Sequence, residues 1–350
     1  MKGKLESYDE LKNCTFVKTI LMILVLFYHC IVFWTGNWFT KNPVDACEPL
    51  SVLASWMNSF HIYGFTLVSG YLFYYLKIEL GKYDSFTAFL KNKAKRLLVP
   101  YVFISIAWVI PINLMFYDES FGDVLKKHAL GTNPSQLWFL LMIFWVFIIF
   151  WLMSKLMKNK TVAGFLFLGA IYVAMYVMSD YIPNLFGVKN VPEFLFAFWI
   201  GFKLRQFKDS KFITAVKKVP PVIYLAVHIV AFAVNRYIFA ISDGIIFNVI
   251  SLGLGIFTHL FGAVMIFLLL QRIALMVKWD TKTFGHISKC SMPTYLIHQQ
   301  LVYFCIFPLN GVITPYILGP LTAVAVFLVS LLISSILLKF KVTRFLIGEK

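Results

Sequence analysis

The 350-residue chain is 60% apolar and only 14% charged, with 37 phenylalanines and a formal net charge of +16. A soluble domain of similar length carries roughly 25% charge, so the composition excludes an ordinary globular protein. The basic excess does not point to a nucleic-acid partner either, because it is gathered into short segments between long apolar blocks.

Phe16–Trp38 contains one charge, and Leu137–Met153 and Ile245–Leu270 contain none. A helix crosses the hydrocarbon core with about 20 such residues, since only a helix satisfies its own backbone there. The pattern predicts an all-α transmembrane bundle of about ten spans. They are placed near 16–38, 53–76, 98–116, 136–154, 162–179, 191–206, 219–240, 245–270, 291–309 and 315–338. Six Lys and Arg fall in 77–96, six in 203–218 and four in 272–289. Placing these segments inside puts both termini in the cytoplasm of a multi-pass cell-membrane protein. Met1–Asn13 is polar and too short for a cleaved signal, so the first span is expected to stay. The five cysteines have no CxxC spacing, and neither a disulfide framework nor a metal site is expected. Residues 1–350 read as a single membrane domain without an extracytoplasmic hydrolase-like domain.

Ionisable residues inside a bilayer are costly, so each is a functional candidate. In the first span Lys18 and His29 lie eleven positions apart. At about 100° and 1.5 Å per residue they share one helix face, roughly 16 Å apart along the axis. Such a stripe suits an anionic ligand entering past Lys18 with a proton acceptor deeper in; Lys18 taken alone also fits a snorkelling side chain. The second span carries His61 toward its outer end, then Gly64 and Ser69-Gly70, which permit close helix or ligand approach. The next cytoplasmic loop ends in Lys91-Asn92-Lys93-Ala94-Lys95-Arg96. These cations suit the phosphates of a nucleotide-like cofactor and suit equally an anchor against anionic lipid. His228 and His259 stand alone in the seventh and eighth spans, and Arg236 reaches either a sugar or the interface. In the ninth span Ser291, Tyr295 and His298 share one face, with Gln299 and Gln300 alongside. Trp34, Trp38, Phe39, Trp56 and Trp138 gather toward the outer side, as an interfacial belt or as stacking surfaces for sugar.

Six segments in order carry a resemblance: FVKTILMILVLFYH, FHIYGFTLVSGYLF, KNKAKRLLVPY, QLWFLLMIF, EFLFAFWIGF and SMPTYLIH. The chain resembles the integral-membrane acyltransferase-3 family, which includes many bacterial polysaccharide O-acetyltransferases. The resemblance implies that His29 is catalytic and that Lys18, Lys93 and Arg96 place acyl-CoA. The family usually has Arg at the positions of Lys18 and Lys93; Lys keeps the charge but not the bidentate fork. Tyr63 stands where Pro is common. The same resemblance implies an enzyme moving an acyl group, most often acetyl, from cytoplasmic acyl-CoA to a hydroxyl of a cell-surface or lipid-linked carbohydrate. His61, Ser69, Arg236, Tyr295 and His298 are the candidates for contacting that acceptor. His29 serves either as general base or as acyl carrier. Scattered His, Arg and Gln residues over ten spans also fit a transporter or lipid-linked glycan flippase, though no repeated halves are visible.

Overall fold

Each long apolar block becomes helix, and no β-strand forms among the described residues. The structure, a computed structural model, describes residues 2–36, 41–178, 181–241 and 244–349. Trp38 and Phe39 lie outside the described residues. In chain order the helices are α1 (Lys2–Ile31), α2 (Glu48–Asn58), α3 (His61–Tyr74) and α4 (Phe86–Phe116). Then come α5 (Phe121–Leu130), α6 (Trp138–Asn159), α7 (Thr161–Val177), α8 (Val191–Gln206) and α9 (Lys211–Lys218). The last are α10 (Pro221–Ile241), α11 (Ile245–Met276), α12 (Lys282–Leu309), α13 (Pro315–Leu337) and α14 (Lys341–Leu346).

Six described helical stretches are long and apolar enough to cross a membrane: Leu11–Thr35, Phe86–Phe116, Phe121–Asn159, Pro221–Ala240, Ile246–Met276 and Pro315–Leu337. The other predicted spans fall on α2–α3, α7, α8 and α12, which are shorter, broken or more polar. Large apolar side chains such as Phe165, Val230, Phe239 and Leu332 face outward, as lipid contact requires.

Two expectations about the elements change. The predicted span 53–76 is not one helix: Phe60, at φ −141°, separates α2 from α3. The loop expected around Lys91–Arg96 is helical instead. Ser85 caps it by accepting from the Ala88 N–H at 3.4 Å, and Phe89 is buried against α6 beside Phe147. α4 reaches Phe116 through π turns at Ala94–Leu98 and Ser105–Val109. Each π turn ends just before a proline, Pro100 or Pro111, where the missing N–H makes a slip of helical register inexpensive.

α1 lies at the centre, against α3, α11, α12 and α13, and 67% of its apolar window is buried, compared with 6% for α10. The tightest crossing is α3 on α8. A Cβ on Gly70 would stand 1.9 Å from the Phe198 carbonyl oxygen, and one on Gly201 would stand 1.9 Å from the Leu67 carbonyl oxygen. Backbones that close have room only for glycine, and helix association in lipid favours such small residues.

Candidate functional site

The stripe expected on α1 becomes one wall of a cavity of about 470 Å³. Leu11, Thr15, Lys18, Met22 and Val25 line it at helical spacing, and His29 is the next position on that face. α3 adds Ile62, Phe65, Ser69 and Leu72; α4 adds Lys93 and Arg96; α6 adds Phe139 and Phe147; α12 adds Lys289, Ser291 and Tyr295. The volume is that of a typical small-molecule site. Its floor is apolar and its mouth basic, because α1, α4 and α12 each bring cations to the same end of the bundle.

The sequence brackets Lys18, Lys93 and Arg96 by family position, and the structure gathers them around one cavity with Lys289 added. Their side chains make no hydrogen bond or ion pair to protein among the described residues. Lys93 instead sits over the Phe147 ring, 3.3 Å from its centroid, with Phe89 and Tyr83 at 5.5 and 5.7 Å. An aromatic face stabilises a cation without neutralising it, so the charge remains available to an anion.

Beyond Val25 the site narrows to a pair of histidines. His29, 8% exposed, places Nδ1 2.8 Å from the Val25 carbonyl oxygen and 3.1 Å from His298 Nε2. His298 Nδ1 lies 2.8 Å from the Tyr295 carbonyl oxygen. A carbonyl only accepts, so both rings carry their proton on Nδ1: His298 Nδ1–H donates to the Tyr295 carbonyl oxygen, and His29 Nδ1–H is shared between the Val25 carbonyl oxygen and His298 Nε2. That assignment puts the lone pair of His29 on Nε2. Tyr28 packs edge-on against His29, and its other neighbour is the ring of His61 at 4.6 Å. His61 is itself held by the Met57 carbonyl oxygen, 2.6 Å from its Nδ1.

The remaining candidates divide. Ser69 and Tyr295 line the cavity, whereas Arg236 lies on α10, pairs with Glu48 and is not part of that lining. His228 and His259 are not isolated. Trp56 Nε1 donates to His228 Nδ1 at 3.1 Å, and His259 Nδ1 stands 3.2 Å from the Tyr172 hydroxyl and 3.6 Å from Glu193. Tyr63 stacks on His259 and donates to Glu193.

Local sequence pattern does not single out Gln136. It forms a reciprocal amide pair with Gln300, at 2.6 and 3.0 Å, and donates to the Leu296 carbonyl oxygen at 2.7 Å; its own backbone carbonyl oxygen accepts from the Tyr295 hydroxyl. These bonds fix the α12 face that presents Tyr295 and His298. The signal in the sequence is an amide opening an apolar span, but its partner lies 164 positions away. A second cavity of about 510 Å³, lined by Tyr71, Phe267 and Arg272, contains no histidine among the described residues.

A family model described as Acyltransferase domain, the acyltransferase-3 family, matches residues 12–339. Among curated proteins and solved structures nothing is significantly similar. The chain belongs to this family, and it is a multi-pass membrane acyltransferase.

Proposed function

From that membership we propose that the enzyme moves an acyl group, acetyl in the first instance, from cytoplasmic acyl-CoA to a hydroxyl of a cell-surface or lipid-linked carbohydrate. The supporting observation is one cavity whose cations at one end make no ion pair among the described residues and, one helical turn past the other end, an imidazole with its proton on Nδ1. The proposed arrangement is a ten-span protein of the cell membrane with both termini cytoplasmic, as the Lys and Arg distribution favours. The basic mouth then opens to the compartment that contains acyl-CoA.

Phosphates of the donor would be held by Lys18, Lys93 and Arg96, which act as point charges and a fork. The roughly 16 Å between Lys18 and His29 suits an arm that runs from phosphate to thioester. His29 Nε2 takes the proton of the acceptor hydroxyl; the oxygen attacks the thioester carbonyl carbon, forming the C–O bond. Collapse breaks the C–S bond, and the imidazolium returns its proton to the departing thiolate. In the alternative route the same lone pair attacks the thioester carbonyl carbon, the C–S bond breaks and the thiolate leaves with a proton from the acyl-imidazolium; the acceptor hydroxyl then displaces the imidazole, which recovers its proton. His298 acts as a positioning residue, accepting from Nδ1–H. Ser69 and Tyr295 lie along the donor's path, while His61 stands on the Tyr28 side of His29, where an acceptor arriving from the opposite membrane face would meet it.

The test is acetyl-CoA turnover by purified protein in nanodiscs with membrane glycan extract present, read as free thiol. His29→Ala is expected to lower the rate by about 10²- to 10⁴-fold. Undiminished turnover in His29→Ala would remove the role from His29. A wild-type protein that neither binds nor consumes acyl-CoA would overturn the donor assignment.

A further inference from the structure

The chain after α13 returns to the mouth of the cavity. α14 ends at Leu346, and Ile347 is fully buried against the cluster formed by Tyr101, Ile104 and Leu296. Gly348 then adopts φ +76°, and a Cβ there would lie 2.6 Å from the Arg96 carbonyl oxygen and 2.7 Å from Pro100 Cγ. Both the left-handed conformation and the close approach demand glycine. The turn is closed by Gly348 N–H donating to the Phe345 carbonyl oxygen at 3.1 Å and Glu349 N–H to that of Arg344 at 2.8 Å. Backbone geometry thus fastens this segment to the very stretch of α4 that bears Lys93 and Arg96.

Glu349 therefore lines the cavity with Lys18, Lys93, Arg96 and Lys289, and among the described residues it is the sole acidic member of that lining. Burial raises its carboxyl above the ordinary value, and Arg96, then Lys18, pull it back down. The carboxylate makes no direct ion pair with any of the four cations. It offsets the mutual repulsion of Lys18 and Arg96 at longer range without the clamp of a bidentate bridge, a geometry that a more highly charged anion can displace.

We infer that Glu349 is an internal occupant of the donor's phosphate subsite, held over the cations by the Gly348 turn and displaced by the phosphates of an incoming phosphorylated thioester. It is a specificity-determining residue: it opposes anions carrying a single charge and yields to those carrying several. The inference rests on the donor assignment proposed above.

The experiment measures binding of CoA and of S-acetylpantetheine, which lacks phosphate, to the full chain in nanodiscs. Glu349→Gln removes the charge and keeps the shape. It is expected to bind CoA roughly threefold to tenfold more tightly, with affinity for S-acetylpantetheine unchanged. Glu349→Ala should tighten CoA in the same sense. Unchanged or weaker CoA binding in a folded Glu349→Gln protein would overturn the inference while leaving the donor assignment standing, as would equal tightening of both probes. Loss of folding in both variants would make Glu349 a structural residue and overturn it too. A wild-type protein that does not bind CoA at all would remove the donor assignment itself.

Discussion

Arg205 and the cluster of Lys18, Lys93 and Arg96 are handled in opposite ways by the same bundle. Arg205 on α8 is 1% exposed; its Nε and Nη2 donate to the two carboxylate oxygens of Glu79 at 2.8 and 2.7 Å, and Nη1 donates to the Tyr71 hydroxyl at 3.2 Å. The protein supplies that cation with every partner it needs. The cluster at the cavity mouth receives an aromatic ring beneath Lys93 and a carboxylate at a distance, but no direct ion pair among the described residues. A cation removed from water requires an anion, and where the fold supplies none in contact the site is built for one from outside. The contrast separates structural charge from ligand-binding charge inside one apolar environment.

Breaking the structural side should have the largest effect on folding. Arg205→Leu removes a buried, charge-assisted contact but leaves the 30%-exposed Glu79 side chain open to water, and it is expected to cost about 1.5–3 kcal/mol, read as a lowered thermal midpoint in detergent. Restoration by a simultaneous Glu79→Leu would sharpen the point, since the pair, not either residue, is what the fold accommodates. On the other side, Lys18→Ala and Arg96→Ala are expected to keep the thermal midpoint and raise the donor KM by about 10- to 100-fold, the worth of a charge-assisted contact of about 1.5–3 kcal/mol. A loss of stability comparable to that of Arg205→Leu would erase the distinction. The smallest effect is expected at Arg236. Its pair with Glu48 joins side chains that are 44% and 71% exposed, so Arg236→Ala should shift stability by at most about 1 kcal/mol and leave donor binding untouched. A changed donor KM there would place α10 closer to the chemistry than its geometry does.

Part of the site is legible from local pattern. Lys18 and His29 share a face because eleven residues make just over three full turns, and Ser291, Tyr295 and His298 share one because offsets of four and three each come close to one turn. Gly70 is legible as a place of close approach, and the crossing with Gly201 gives the reason. Continuity is not legible in the same way: 53–76 breaks at Phe60, and the basic stretch before Pro100 is helix, because burial of Phe89 and the Ser85 cap extend α4 backward. Gln136, Arg205 and Glu349 carry no local signature, since each acquires its meaning from a residue more than a hundred positions away.

Apolar blocks and helical period already decide the solvent and the faces. The blocks demand lipid and helix, and the 3.6-residue period decides which side chains travel together along each helix. Which faces meet is a matter of packing between distant segments. Helical period sets the direction of a side chain relative to its own axis but says nothing of the neighbour it points toward. That choice rests on packing between helices, above all the backbone contact of Gly70 and Gly201 and the turn at Gly348. Through it His298 reaches His29, Lys93 and Arg96 join Lys18, and Glu349 comes to rest among them.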